Sequence, residues 1–171
     1  MKYIPYMYKK NIFDINYDKL RRDGIKCLIF DLDNTLALIS EKECPENTIQ
    51  LIATLKKDFT VLIITNNNRR RVIPYQKVLD IDAIYLAMKP FTIGLRRVMR
   101  KYKLKKSEMV MIGDQLVTDI KSGIDFGIKT ILVDPLGKKD LKITSFNRYI
   151  EKRMLEKYKR DDLFERGRYY E

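Results

Sequence analysis

One apolar run that stops on two acids constrains this chain more than anything else in it. Cys27, Leu28, Ile29 and Phe30 follow one another without a polar residue, the run ends at Asp31, and Asp33 stands two residues further on. A short continuous run of this kind reads as a strand buried on both faces of a parallel sheet. Open α/β sheets place their ligands at the C-terminal ends of such strands. In extended chain, side chains two apart point the same way, so both carboxylates face one crevice. Two anions 4 Å apart repel by about 4 kcal/mol at an effective dielectric near 20, which calls for a cation or a shared proton between them. Mg2+ suits hard carboxylate oxygens and needs few protein ligands when a phosphate supplies others.

An acidic pair after a strand also caps helices and decorates loops, so the remaining apolar runs of the chain decide its meaning. Val61 to Ile64 is a second apolar run that ends in the hydroxyl of Thr65, followed by Asn66, Asn67 and Asn68. Ala83 to Met88 precedes Lys89 and Pro90, and Met109 to Gly113 ends in Asp114, with Asp119 five residues on. Strands that alternate with helical stretches require right-handed crossovers and therefore a mostly parallel sheet covered on both sides.

In this order and spacing the four stretches resemble the motifs of the haloacid dehalogenase (HAD) phosphohydrolase superfamily. Asp31 to Leu36 resembles its first motif, Thr65 with Asn66 its second, Lys89 its third, and Gly113 to Asp119 its fourth. The likeness covers roughly residues 26–134. The flanks are similar to the capless subfamily IIIA and its YqeG-type branch, related to phosphatidylglycerophosphate phosphatases. The resemblance implies a Rossmann-like three-layer α/β fold without a cap domain, built on a mostly parallel five-stranded sheet of order 5-4-1-2-3, counted from the Cys27 strand. It also implies a nucleophile at Asp31 and a general acid/base at Asp33. Mg2+ would be held by Asp31, Asp114, the backbone carbonyl of Asp33 and, directly or through water, Asp119. Thr65 and Asn66 would bind the phosphoryl oxygens, and Lys89 would neutralise developing charge.

Composition removes the main competitors to carboxylate chemistry. There is no histidine among the 171 residues, which excludes Ser-His-Asp triads, phosphohistidine and imidazole-ligated zinc. The only cysteines are Cys27 and Cys44, neither of which opens a Cys-x5-Arg phosphatase loop. Cys27 reads as a small buried hydrophobe and Cys44 as a loop residue, a usage that fits reduced thiols in a cytoplasm. No run approaches the roughly 20 apolar residues that span a bilayer, and the N-terminal residues lack the apolar core of a secretory signal. Any membrane contact is therefore expected to be peripheral, on the inner face of the plasma membrane.

The net charge of +12 calls for an anionic partner. Charge together with the resemblance favours a lipid phosphate, phosphatidylglycerophosphate, presented by an anionic membrane surface, over nucleic acid. Two alternatives stay open: a HAD phosphatase acting on a soluble nucleotide, nucleic-acid end or sugar phosphate, and a non-catalytic basic binding protein in ribosome assembly or beside a GTPase. Nothing in the sequence sets an oligomeric state.

Along the chain, residues 1–171 read as one domain with a core over about 24–135, an N-terminal arm over 1–23 and a basic C-terminal helix and tail over 136–171. The arm is expected to pack its tyrosines on the core or to wedge into an interface, and Tyr17 to Arg22 to form a short helix stopped by Gly24. Ala37 to Pro45 would hang over the site as a loop too short for a cap. Helices are expected over Thr48 to Leu55 and Arg69 to Leu79, the latter with Val72, Ile73, Gln76 and Leu79 in an apolar stripe and Pro74 as an awkward guest. Phe91, Leu95, Val98, Met99 and Tyr102 recur at helical spacing as a core stripe. From Thr92 to Ser107 the chain carries no acidic residue, which marks either a solvated basic face or a docking surface for an anionic partner. Phe146, Tyr149, Ile150, Met154 and Tyr158 form a stripe on the C-terminal helix, set either to cover the sheet or to meet a membrane. The tail over Asp161 to Glu171 is expected to be partly mobile.

Overall fold

The structure, a computed structural model, describes residues 2–137 and 142–171, with the side chains of 142–148 outside that description. Six strands form one sheet: β1 (Met7–Lys9), β2 (Cys27–Phe30), β3 (Thr60–Ile64), β4 (Asp82–Ile84), β5 (Met109–Gly113) and β6 (Lys129–Val133). They lie in the order β1-β6-β5-β2-β3-β4, and all five pairings are parallel. The core order inferred from the resemblance is present within it. The count of five strands is corrected to six, because Met7–Lys9 of the N-terminal arm adds itself outside β6.

Alternation along the central strands builds two cores from one sheet. Leu28, Phe30, Ile63, Val110 and Ile112 face one way, packing with Ile52, Leu55, Val72 and Tyr75 of α2 (Glu46–Leu55) and α3 (Arg69–Leu79). Cys27, Ile29, Leu62, Met109 and Met111 face the other, against Leu95 and Val98 of α4 (Ile93–Lys101) and Phe126 of α5 (Lys121–Phe126). The closest approach of α5 to the sheet depends on Gly123, where an added Cβ would lie 2.3 Å from Thr130 Cγ2.

Helix boundaries follow local chemistry. α1 (Tyr17–Arg22) is capped by Asn16, whose side chain accepts from the Lys19 amide, and Gly24 then takes the left-handed conformation, φ 81°. α2 begins two residues before the predicted Thr48, directly after Pro45. α3 keeps its predicted bounds with Pro74 inside it; its buried face is Val72, Tyr75 and Leu79, so Tyr75 replaces the predicted Gln76 in the stripe. Phe91 is a correction too. α4 starts at Ile93, and Phe91 lies ahead of it with its ring exposed, so helical spacing alone misassigned it to the core.

Both chain ends return to the sheet edge. Tyr8 and Tyr170 exchange backbone hydrogen bonds, each 3.0 Å, and the Tyr8 ring is fully buried near Phe164, Tyr169 and Tyr170. The tail predicted to be partly mobile is thus pinned through Tyr170 to β1. α6 (Lys142–Arg160) brings Tyr158 and Met154 against Leu116, Ile120 and Leu132, whereas Tyr149 and Ile150 of the predicted stripe are exposed. The side chain of Phe146, the first residue of that stripe, lies outside the described residues. No helix among the described residues is long and apolar enough to cross a membrane.

Candidate active site

Strand register assembles the site. Phe30 lies opposite Ile112 in the parallel β2–β5 pair, and the Asp31 amide still donates to the Ile112 carbonyl at 2.9 Å. Asp31 is thus level with Gly113, and Asp31 and Asp114 leave neighbouring strands within one residue of each other, each at the first position beyond its apolar run. Asp119 reaches the same place by a different route. After Gln115 the chain makes a single π-helical turn, Leu116–Ile120, and the Asp119 carboxylate folds back so that Oδ2 accepts from the Gln115 amide at 3.1 Å. Gly113 makes room for it, because a Cβ there would stand 2.3 Å from Asp119 Oδ2.

The result is three buried carboxylates, Asp31, Asp114 and Asp119, whose oxygens lie within 4.8 Å of one another. Lys89 joins them from the chain that follows β4. Its Nζ donates to Asp31 Oδ1 at 2.5 Å, to Asp119 Oδ1 at 2.6 Å and to the Ile64 carbonyl at 3.0 Å. Burial alone would lower the Lys89 pKa, but Asp119 and Asp31 outweigh it and hold the ammonium firmly protonated. Lys89 sets its one positive charge between Asp31 and Asp119. Burial, with Asp119 and Asp114 nearby and only partly offset by Lys89, pushes the Asp31 carboxyl well above its ordinary range. A divalent cation fits this donor set, since the oxygens are hard, buried and converge within 4.8 Å of one another.

Asp33 lies apart from this cluster. One of its oxygens accepts from Arg71 Nε and Nη2 at 3.0 and 2.8 Å, and the other accepts from Asn67 Nδ2 at 2.8 Å. Arg71 also donates to the carbonyls of Leu38, at 2.9 Å, and Glu41, and its guanidinium lies over the Tyr75 ring. Tyr75 in turn donates to the Glu41 carbonyl at 2.8 Å. One face of α3 thus grips both Asp33 and the loop over the site.

The three asparagines after Thr65 divide their tasks. Asn66 pairs with the Lys89 backbone in both directions, accepting from its amide at 2.6 Å and donating to its carbonyl at 2.9 Å, and so fixes where the lysine enters. Asn67 holds Asp33, and Asn68 caps α3 by accepting from the Arg71 amide at 3.1 Å. The Thr65 hydroxyl, buried at the end of β3, accepts from the Asn67 amide at 3.2 Å. Among the sequence-derived candidates the structure gathers Asp31, Asp114, Asp119 and Lys89 into one cluster, sets Thr65 and Asn66 along its edge, and turns the Asp33 side chain to Arg71.

Two residues escaped the sequence reading. Arg71 is the third of three consecutive arginines, and only its position one helical turn before Tyr75 distinguishes it. Arg166 comes from the tail, where it donates to the Asp114 carbonyl at 3.0 Å, to Asp134 at 3.2 Å and to the buried Glu151. Nothing in the local sequence points from residue 166 to residue 114.

Comparison with known proteins agrees with this geometry. Residues 28–89 match the family described as haloacid dehalogenase-like hydrolase, and residues 87–143 match the one described as "HAD-hyrolase-like". The chain is 40% identical over 159 residues to the probable phosphatase YqeG of Bacillus subtilis, covering 92% of each protein. It is 24% identical over 143 residues to the chloroplastic phosphatidylglycerophosphate phosphatase 1 of Chlamydomonas reinhardtii, spanning 78% of this chain and 53% of that one. Among solved structures, the cobalt-bound deoxy-D-mannose-octulosonate 8-phosphate phosphatase of Haemophilus influenzae shares the fold, with a TM-score of 0.52 and 15% identity over 81% of this chain and 90% of that one. An uncharacterised protein from Listeria monocytogenes superposes with a TM-score of 0.55 at 15% identity, over 68% and 85% of the respective chains. The chain belongs to the haloacid dehalogenase-like hydrolases. Within them it falls in the YqeG branch and is an enzyme of the phosphatase type.

Proposed function

We propose that this chain is a Mg2+-dependent phosphomonoester hydrolase that works through an aspartyl-phosphate and removes the terminal phosphate of phosphatidylglycerophosphate at a membrane surface. The observation that carries the reaction type is the convergence of Asp31, Asp114 and Asp119 around Lys89 at the C-terminal ends of β2 and β5.

Phosphate monoesters hydrolyse extremely slowly without a catalyst, and most of the barrier is removed by positioning and charge neutralisation. Asp31 attacks phosphorus, so that a bond forms from its carboxylate oxygen as the bond to the leaving alcohol oxygen breaks. Asp33 gives that alcohol oxygen a proton. It then takes a proton from water, whose oxygen attacks phosphorus and releases Asp31 and inorganic phosphate. The pairing of Asp33 with Arg71 is a resting arrangement in this scheme, which an arriving phosphate dianion loosens by competing for the guanidinium. The Thr65 hydroxyl and the Asn66 amide receive the phosphoryl oxygens, and Lys89 offsets the charge that builds on them.

Asp31, Asp114 and the Asp33 backbone carbonyl would hold the Mg2+, with Asp119 supporting them directly or through water. Bound there, the ion supplies the positive charge that lets an anionic nucleophile meet an anionic substrate.

The lipid substrate is supported by sequence similarity to the algal enzyme and to the Arabidopsis thaliana phosphatidylglycerophosphate phosphatase 1, at 26% identity over 149 residues. The short loop over 38–45, in place of a cap, leaves room for a substrate carried by a surface. The test is phosphate release by the full chain from phosphatidylglycerophosphate beside a panel of nucleotide, nucleic-acid-end and sugar phosphates. Preferential release from the lipid is expected. Turnover of soluble phosphates alone would overturn the substrate assignment, and no metal-dependent turnover on any of them would overturn the reaction.

A further inference from the structure

The segment that carries Lys89 into the site has a second, outward face. From Leu86 onward its side chains alternate: Ala87 and Lys89 are buried, while Leu86 and Met88 are 61% and 59% exposed. Phe91 comes next at 63% exposed, with the half-exposed Ile93 beyond it, and the Phe91 amide donates to the Met88 carbonyl at 2.9 Å, turning the chain there. Leu86 and Met88 both have left-handed backbone, φ 49° and 56°, which glycine adopts without steric cost and asparagine more readily than leucine or methionine. Neither side chain packs on the core, so folding alone gives no reason for leucine and methionine at those positions.

The surroundings are basic. The Leu86 amide donates to the Asn67 carbonyl at 2.9 Å, which sets this ledge beside the exposed Arg69 and Arg70 at the start of α3. Two residues after Phe91 the chain enters α4, which exposes Arg96, Arg97 and Arg100, within the stretch from Thr92 to Ser107 that has no acidic residue. Apolar side chains at a tip with arginines behind them match the acyl boundary and anionic headgroups of a bilayer in that order. A second copy of this chain would set the same arginines against themselves across a two-fold axis. A nucleic acid would use the arginines and leave the apolar tip without a function.

We infer that Leu86, Met88 and Phe91 form a membrane-inserting ledge, flanked by Arg69, Arg70, Arg96 and Arg97, which seats the active-site mouth on anionic phospholipid. The inference rests on the proposed lipid phosphatase activity for its purpose, though its binding arm is read without turnover.

The test compares the wild-type chain with the triple variant Leu86→Gln, Met88→Gln, Phe91→Gln, and with Phe13→Gln as an exposed aromatic elsewhere. Each is sedimented with vesicles of phosphatidylcholine, with and without phosphatidylglycerol, and assayed on p-nitrophenyl phosphate in solution. The wild type should partition onto the anionic vesicles, and the triple variant should lose about tenfold or more of that partitioning. Phe13→Gln should behave as wild type, and soluble turnover should be unchanged in all three. Equal partitioning of triple variant and wild type overturns the ledge, as does an oligomer in the wild type that the triple variant loses. Normal hydrolysis of vesicle-borne phosphatidylglycerophosphate by the triple variant also overturns it, leaving the substrate assignment standing. Ledge-dependent vesicle binding with no release of lipid phosphate supports the ledge and overturns the substrate.

Discussion

Arg71 places two of its donors, Nε and Nη2, on a single oxygen of Asp33 and spends the others on the carbonyls of the loop that covers the site. A planar fork of this kind has no lysine equivalent. Arg71→Lys is therefore expected to lower kcat about ten- to a hundredfold with little change in the response to metal, because the three-carboxylate cluster is untouched. Arg71→Ala should also destabilise the fold by about 2–3 kcal/mol, chiefly by removing the cation from the half-buried Asp33 carboxylate, since the Leu38 and Glu41 carbonyls keep the Glu41 amide and the Tyr75 hydroxyl as donors. Denaturant midpoints and amide exchange over residues 38–43 read the two effects separately.

The metal-free cluster carries a pH signature. Burial, with Asp119 and Asp114 nearby, raises the Asp31 pKa above its ordinary 3.8, so the folded state holds this proton more tightly than the unfolded chain does. The stability tied to Asp31 is accordingly fully present below 3.8 and is lost as pH rises through the elevated folded value. Melting in a chelator should show that decline, and saturating Mg2+ should remove it. At a hundredfold excess over its Kd the ion contributes about 2.7 kcal/mol, or roughly 5–10 °C for a chain of this size. Asp114→Asn should abolish most of the Mg2+ shift; an undiminished shift would place the ion elsewhere.

Lys89 is the internal cation of the same cluster. Replacing it in Lys89→Gln takes the ammonium from the buried Asp31 and Asp119 carboxylates, at a cost of about 3–5 kcal/mol in metal-free protein. Two opposite changes are expected. Turnover collapses, while the thermal shift on adding Mg2+ grows beyond that of the wild type, since the ion then does the work of both. A smaller shift would mean that Lys89 helps to build the ion's site rather than sharing its charge.

Arg166 ties the tail to the candidate site through the Asp114 carbonyl and the buried Glu151. Arg166→Ala is expected to weaken Mg2+ binding about tenfold, measured by titration calorimetry, while the circular dichroism of the sheet and helices is retained. Unaltered affinity would reduce Arg166 to a tether for α6.

Much of this architecture can be read directly from the chain, for a physical reason. Central parallel strands are buried on both faces, so β2, β3 and β5 announce themselves as apolar runs, and each run stops where the sheet ends and the candidate site begins. Asp31, Thr65 and Asp114 are legible because they occupy those stops. β1 is not, since Met7, Tyr8 and Lys9 make a three-residue edge strand whose pairing depends on β6, far along the chain. The docking of Tyr170 and Arg166 is hidden in the same way. Phe91 shows the opposite failure: its spacing fits a helix that starts two residues later, and its exposure follows from tertiary placement that periodicity does not carry.

The most direct measurement asks where the phosphoryl group goes. Wild-type chain quenched in acid during turnover, digested and examined by mass spectrometry should carry the group on the Asp31 carboxylate, and Asp31→Asn should fold, form no such adduct and turn over no substrate. A phosphorylated residue other than Asp31, or near-native turnover by Asp31→Asn, would contradict the assignment of Asp31 as nucleophile.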